Sequence, residues 1–358
     1  MWVRELELND LRNVRSAGLE LGPGLNVFFG CNAQGKTTLL EAVGLLARGR
    51  SFRTEDTRSL IRRGARALRA RGTAATDGRG TALEVELGEA GRLLRVDGRP
   101  VPPREYHGRL EVVVYSTDRL RVVHGPMRER RLYLDRGASA LWPAYRQVHR
   151  EFERVLVQRN AALEGRRRDL PAWNERFVEV GGRLRFRRAA YVARLAACLE
   201  RGYRPRGESY GIALQPEVGG ADEDGHRSAL ARALEDSRSR ELSAGRTLVG
   251  PHRDVVALTV DREEASLHAS SGQARSLLLA LALATLALYR EERGDSAVAL
   301  LDDLDSELDE ERAGLLCGEV AERGQALVTT AHPGWADRMA GRGRIFRVSE
   351  GTYSLGVS

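Results

Sequence analysis

Lysine is all but absent from this chain. Its 358 residues carry 57 basic side chains, and all but one are arginine; the exception is Lys36. Cysteine is nearly as scarce. Cys31, Cys198 and Cys317 lie far apart, with no CxxC pair. That spacing argues against a disulfide framework or a zinc site and fits a reducing cytoplasm. Long apolar runs are missing too. The longest, Leu277 to Leu288, is shorter than the roughly 20 residues a bilayer-spanning helix needs, and is expected as a buried core helix. No signal peptide pattern opens the chain, and no membrane partner is expected. No fixed-period repeat and no long heptad array is visible, which excludes a coiled-coil rod.

The lone lysine stands in Gly30-Cys31-Asn32-Ala33-Gln34-Gly35-Lys36-Thr37-Thr38. The apolar stretch Leu25 to Phe29 before it reads as a buried strand, and Thr38 to about Arg48 reads as a helix. Strand, G-x-x-x-x-G-K-T, helix is the context of a phosphate-binding loop. Glycines let backbone N–H groups turn toward a polyphosphate, and the helix N-terminus adds positive potential. Lys36 is expected to reach the β- and γ-phosphates and Thr37 to ligate Mg²⁺. Arginine is bulkier and planar and does not replace a point charge inside such a loop. Cys31 reads as a variable loop position, not a nucleophile.

A second half of the site follows from Ala297 to Asp303. An apolar strand buried on both faces ends in two acids, at the carboxyl edge where α/β sheets place ligand groups. Asp302 is expected to hold Mg²⁺ and Asp303 to act as general base toward the attacking water. Ser306-Glu307-Leu308-Asp309 comes next, with Asp309 a nucleotide-site candidate. His332, after the strand Ala326 to Thr329, is expected to contact the γ-phosphate. Some thirty residues before the acids, Ser270-Ser271-Gly272-Gln273 opens a helix and offers a second anion site. One chain does not need two such sites for one phosphate chain. In the ATPase class that has both, the second belongs to the other subunit, so an ATP-dependent homodimer is expected. Arg12 and Asn13 lie in a turn expected to return to the loop and touch base or ribose.

Formal charge is +7, unevenly spread. From Arg119 to Arg206 there are 22 arginines against nine acids, an excess of +13 that leaves −6 for the remainder. Such a segment suits a nucleic-acid backbone.

The pattern gives an α/β protein in two parts: residues 1–116 and 243–358 as a core, and a basic helical subdomain over 117–242. In the core, Trp2 to Leu8, Gly18 to Leu21 and Leu110 to Tyr115 read as strands. Residues 65–101 read as an antiparallel meander with a turn at Asp97-Gly98. In the subdomain, Glu151 to Leu163 and Phe177 to Leu199 have helical spacing, Pro126, Pro143 and Pro171 sit at helix starts, and Tyr210 to Leu214 reads as a strand. Beyond it, Val255 to Val260 and Ala265 to His268 read as strands, and Glu310 to Glu322 as a helix.

Together, Asn32 to Thr37, Leu40-Glu41-Ala42, Ser51-Phe52-Arg53-Thr54, Arg130 to Asp135, Gly250-Pro251-His252-Arg253-Asp254, Ser271-Gly272-Gln273 and Leu301-Asp302-Asp303 resemble the RecF family. That family is related to the ATPase heads of SMC proteins and ABC transporters, and the resemblance covers essentially the whole chain. It implies an ABC/SMC-type P-loop ATPase head using ATP and Mg²⁺, dimeric with ATP. It implies binding to duplex DNA and single/double-strand junctions, and work with RecO and RecR to load RecA on gapped DNA. ATP hydrolysis would be weak, stimulated by DNA, and serve as a switch. Analogy with SMC heads makes Arg53 a candidate phosphate contact.

The chain departs from the wider pattern at Ser271, where ABC signatures carry glycine, and at Asp303, where glutamate is usual. No glutamine follows the strand ending at Tyr115; Ser116 to Asp118 stand there. These departures point toward slow hydrolysis. An ABC-type subunit coupled to a transporter is the alternative, although such subunits have a shorter interval between loop and signature. A GTPase would need Asn-Lys-x-Asp, and the only lysine is already used.

Overall fold

The computed structural model describes residues 1–54, 56–76, 78–204, 207–215, 222–304, 317, 320, 324–339 and 341–356. The chain forms two compact units, Met1–Arg119 with Tyr289–Ser358, and Leu120–Leu288.

The first unit holds two six-stranded sheets. One runs in the order Thr352–Leu355, Gly343–Ser349, Leu25–Phe29, Ala326–Thr330, Val298–Leu301, Val112–Tyr115. Its last five strands are parallel; Thr352–Leu355 is the antiparallel edge. Buried on both faces, the central strands carry the continuous apolar runs seen in the sequence. Ala326–Thr330 lies between the strand that enters the phosphate loop and the strand that ends in the two acids.

The other sheet is the expected antiparallel meander, extended by the first two strands, Trp2–Leu11 and Val14–Glu20. Its inward residues, among them Leu6, Leu8, Leu68 and Val85, are buried in one core with Phe28, Leu300 and Leu327 of the parallel sheet. On its other face the register aligns Glu7, Arg71, Glu84 and Arg95 across four strands. Opposite charges directly across a sheet stabilise the pairing by a few tenths of a kcal/mol to about 1 kcal/mol each. The helix Lys36–Arg48 is buried almost throughout, which explains its lack of a polar face.

The second unit is built on the helices Met127–Leu141, Pro143–Glu164, Leu170–Arg201 and Glu223–Ala244. Pro126, Pro143 and Pro171 do stand at helix starts, where a missing N–H costs nothing. Residues 243–288 group with this unit. The strand Tyr210–Gln215 pairs along its whole length with Val255–Val260. Arg130, 3 % exposed, donates to the carbonyls of Val122, Val123 and Val256 and to Glu264.

Ala265–His268 is a helical turn, not the strand the sequence suggests. Pairing with Val255–Val260 ends at Glu264, and Ala269 N–H then donates to Ala265 O, closing the turn. The helix Ser271–Arg293 is long and apolar enough to cross a bilayer, but half of its most apolar stretch is buried in the protein. The expected helix from Glu310 to Glu322 lies outside the described residues, apart from Cys317 and Val320.

Arginine also builds the interior of this unit. Arg188, 2 % exposed, bonds Asp135, the Pro251 carbonyl at 2.7 Å and Asp254 at 2.8 Å. Arg185 takes the other Asp254 oxygen at 2.8 Å, and Arg131 takes the Asp254 carbonyl. Gly250-Pro251-His252-Arg253-Asp254 is thus a loop anchored on three arginines. Gly250 has φ +124, and a Cβ there would lie 2.6 Å from the Phe177 ring, so only glycine fits.

Candidate functional site

The phosphate loop lies between the strand Leu25–Phe29 and the helix Lys36–Arg48 of the first unit. Gly35 turns it with φ +113, a conformation that L side chains rarely adopt. Lys36 is 4 % exposed and points back into the loop. Its ammonium donates to the carbonyls of Gly30 at 2.7 Å and Cys31 at 3.1 Å, and to Asn32 Oδ1 at 3.5 Å. Cys31, Asn32 and Ala33 are exposed along the rim.

The hydroxyl of Thr37 donates to Asp302 Oδ1 at 2.9 Å. Thr329, on the intervening strand, donates to the same oxygen at 2.7 Å and accepts from Asp303 N–H at 2.8 Å. Burial pushes the Asp302 carboxyl above the usual range, as does the neighbouring Asp303 charge, while Thr329 and Thr37 act against the rise. A buried carboxylate beside a threonine hydroxyl, with no basic side chain bonded to it among the described residues, is an all-oxygen donor set of the kind Mg²⁺ prefers. The residues therefore fit that ion. Asp303 has φ +49 at the end of its strand, a backbone region Asp tolerates better than most residues.

Two neighbouring loops are tied to the helix by one buried acid. Glu41, fully buried, receives Arg12 Nε at 2.5 Å and Arg12 Nη2 at 3.0 Å. It also accepts from the Ser51 hydroxyl. Ser51 Oγ in turn accepts from the N–H groups of Arg53 and Thr54, shaping the loop that carries Arg53. Arg12 itself sits at φ +52 in the two-residue hairpin turn between Leu11 and Val14.

The expected nucleotide residues are accordingly placed as follows. The Arg12 guanidinium is engaged with Glu41. Asn13 accepts from Thr38 at 3.0 Å, so it borders the loop. Arg53 pairs with Asp118 at 3.2 Å. Thr37 and Asp302 are brought together. His332 is exposed, and its N–H donates to Thr330 Oγ1. Asp309 lies outside the described residues. In the second unit, Ser270 and Gln273 form a capping box at the start of Ser271–Arg293. Ser270 N–H donates to Gln273 Oε1 at 3.0 Å and Gln273 N–H to Ser270 Oγ at 3.2 Å. Ser271 and Gly272 are exposed at that helix start.

Three contributors are absent from the sequence-based set of site residues: Thr329, Glu41 and the hairpin Gly343–Ser349/Thr352–Leu355. Gly351 N–H donates to Gln34 O at 2.9 Å, Glu350 N–H to Gln34 Oε1 at 2.6 Å, and the Tyr353 hydroxyl to Gly35 O at 2.8 Å. Glu350-Gly351 is a readable turn signal. What the turn would touch is not.

A family profile described as RecF/RecN/SMC N terminal domain matches residues 2–354. Curated relatives include the "DNA replication and repair protein RecF" of Acidothermus cellulolyticus, 39% identical over 92% of this chain and 94% of the relative. That of Symbiobacterium thermophilum is 36% identical over 99% and 98%. A solved structure of the recombination mediator protein RecF with ATP, in the RecFOR pathway, superposes with TM-score 0.89. It is 26% identical, over 99% of this chain and 98% of that one. An Smc head domain from Pyrococcus furiosus is 14% identical with TM-score 0.59 and shares the fold.

Proposed function

The chain belongs to the RecF/RecN/SMC N-terminal domain family and has RecF relatives over almost its full length; on that premise we propose that it is an ATP-dependent DNA-binding protein of recombinational repair. Two copies close on ATP and Mg²⁺, and the closed dimer binds duplex DNA and single/double-strand junctions. With RecO and RecR it promotes RecA loading on gapped DNA in the cytoplasm. Weak, DNA-stimulated hydrolysis to ADP and phosphate resets it.

In this reading Gly30 to Thr38 wraps the triphosphate, with Lys36 on the β- and γ-phosphates. Thr37 and Asp302 hold the metal, Asp303 accepts the proton of the attacking water, and His332 meets the γ-phosphate. Arg12, Asn13, Arg53 and Asp309 border the nucleotide. Ser270 to Gln273 of one subunit serves the ATP of the other, its exposed helix start supplying N–H donors. The ATPase head is read over 1–116 and 243–358, its segment 243–288 grouping with the helical unit in the fold, and 117–242 supplies the basic DNA surface. The observation that carries the reading is the Thr37–Asp302 hydrogen bond, which joins the phosphate loop to the acid strand at a single point. A transporter-coupled role is set aside, because the relatives matched over nearly the whole chain are named for DNA replication and repair.

Sedimentation with and without ATP, in the presence of labelled duplex, tests this. Wild type should dimerise and carry DNA only with ATP, and Asp303→Asn should hold that dimer without turnover. Asp303→Asn remaining monomeric at saturating ATP would overturn the two-headed arrangement.

A further inference from the structure

We propose that the C-terminal hairpin is an external splint for the phosphate loop, with Tyr353 as a positioning residue for the triphosphate; this rests on the nucleotide reading above. The hairpin strands Gly343–Ser349 and Thr352–Leu355 pair Val348 with Tyr353 and Ser349 with Thr352. That leaves Glu350-Gly351 as a two-residue turn, with φ +49 and +75. Both residues are left-handed, as a type I′ hairpin turn requires. A Cβ on Gly351 would lie 2.8 Å from the Asn13 carbonyl oxygen, so the turn presses against the segment that borders the loop.

The contacts fall on two consecutive peptide units. Gly351 N–H holds Gln34 O, and Tyr353 Oη holds Gly35 O. A trans peptide is planar, and its N–H points opposite its carbonyl. Fixing Gln34 O therefore fixes the direction of Gly35 N–H, and fixing Gly35 O fixes Lys36 N–H. These two donors open the helix, where backbone N–H groups have no partner one turn earlier and are free for an anion. The hairpin thus sets, from outside, the direction of donors that a phosphate would meet on the inside.

The splint is stiff. The Tyr353 ring packs edge-on to Phe28 at 6.4 Å, and Phe28 stacks on Phe346 of the same hairpin at 4.9 Å. Phe28 lies two residues before the loop, so loop and splint share one aromatic anchor. Burial raises the Tyr353 hydroxyl above its ordinary pKa, which keeps it a neutral donor. Donors already aimed at the ligand bind it without the cost of ordering the loop.

Tyr353→Phe retains the ring and removes the donor. Calorimetric titration with ATP, the unfolding midpoint of the nucleotide-free protein and the ³¹P spectrum of bound ATP test the proposal. ATP affinity should fall about three- to tenfold, the loss of one hydrogen bond. The bound β- and γ-phosphate resonances should move, and the unfolding midpoint should drop by no more than about 4 °C. Gln34→Met, which removes the acceptor for Glu350 N–H, should weaken binding in the same direction by less. If wild type binds ATP and both variants bind it equally well, the splint is refuted. Weaker binding with unmoved phosphate resonances also refutes it, since Tyr353 would then act only on stability. Wild type failing to bind ATP would instead refute the nucleotide reading itself.

Discussion

Thr37 and Asp302 are 265 residues apart in the chain, and their side chains share a 2.9 Å hydrogen bond. Thr329, on the strand between them, holds the same carboxylate oxygen. The phosphate loop and the acid strand are not neighbours in the sheet, so this threonine completes the link.

Asp302→Asn gives opposite outcomes for stability and for metal use. Burial is the first cause of the raised Asp302 pKa, so at neutral pH the ionised carboxylate disfavours the folded state. A neutral isostere that can still accept both hydroxyls should raise the unfolding midpoint of the nucleotide-free protein. In the proposed nucleotide role the same change would remove a charged metal ligand, and should raise the Mg²⁺ concentration that ATP binding needs by at least about tenfold, the loss expected even for an outer-shell partner. Thermal unfolding and an Mg²⁺ titration measure the two; a lower midpoint would contradict the account.

Glu41 is the hub of two loops. Glu41→Ala leaves the Arg12 guanidinium and the Ser51 hydroxyl without their shared acceptor. Arg12 is 25% exposed on its side chain, so water recovers part of the loss, and about 2 kcal/mol of destabilisation is expected. Urea denaturation reads it. Glu41→Gln, which keeps the volume and an acceptor, should cost less than the alanine variant. Equal costs would mean that packing alone explains the site.

His252 makes the second unit acid-sensitive well above the carboxylate range. Burial against Phe152 and Phe177 pushes its pKa down to about 4, with Arg253 and Arg131 adding to the fall and the Thr247 carbonyl and Asp254 opposing it. Between pH 4 and the ordinary histidine value near 6.5, the unfolded chain binds a proton that the folded chain refuses. Stability is thus fully present above about pH 6.5 and falls as the pH drops toward 4, by roughly 2–3 kcal/mol. His252→Gln should flatten that slope in denaturant titrations across this range. An unchanged slope would assign the acid sensitivity elsewhere.

Much of the site was legible because its chemistry is local. Gly30 to Thr38 declares itself by spacing, by its flanking apolar strand and by holding the only lysine. The acids at 302 and 303 are marked by the apolar strand that ends in them. Local patterns also set the meander turn at Asp97-Gly98 and the proline-led helix starts. Ala265 to His268 misled because four residues of mixed polarity fit a strand or a turn equally, and only the end of pairing at Glu264 decides. The helical unit extends to residue 288 because Tyr210–Gln215 pairs with Val255–Val260, and strand partners are not written in either strand.

By itself, then, the sequence determined which groups carry charge, where the backbone can turn left-handed, and which strand must be buried on both faces. These are properties of single residues and of short periodicities. Only the tertiary structure decided which of those groups meet: Thr37 with Asp302, Arg12 with Glu41, Arg188 with both Asp135 and Asp254, Tyr353 with Gly35. Each pair depends on strand order or helix packing, which is fixed by the burial of the whole core and not by either partner's neighbours.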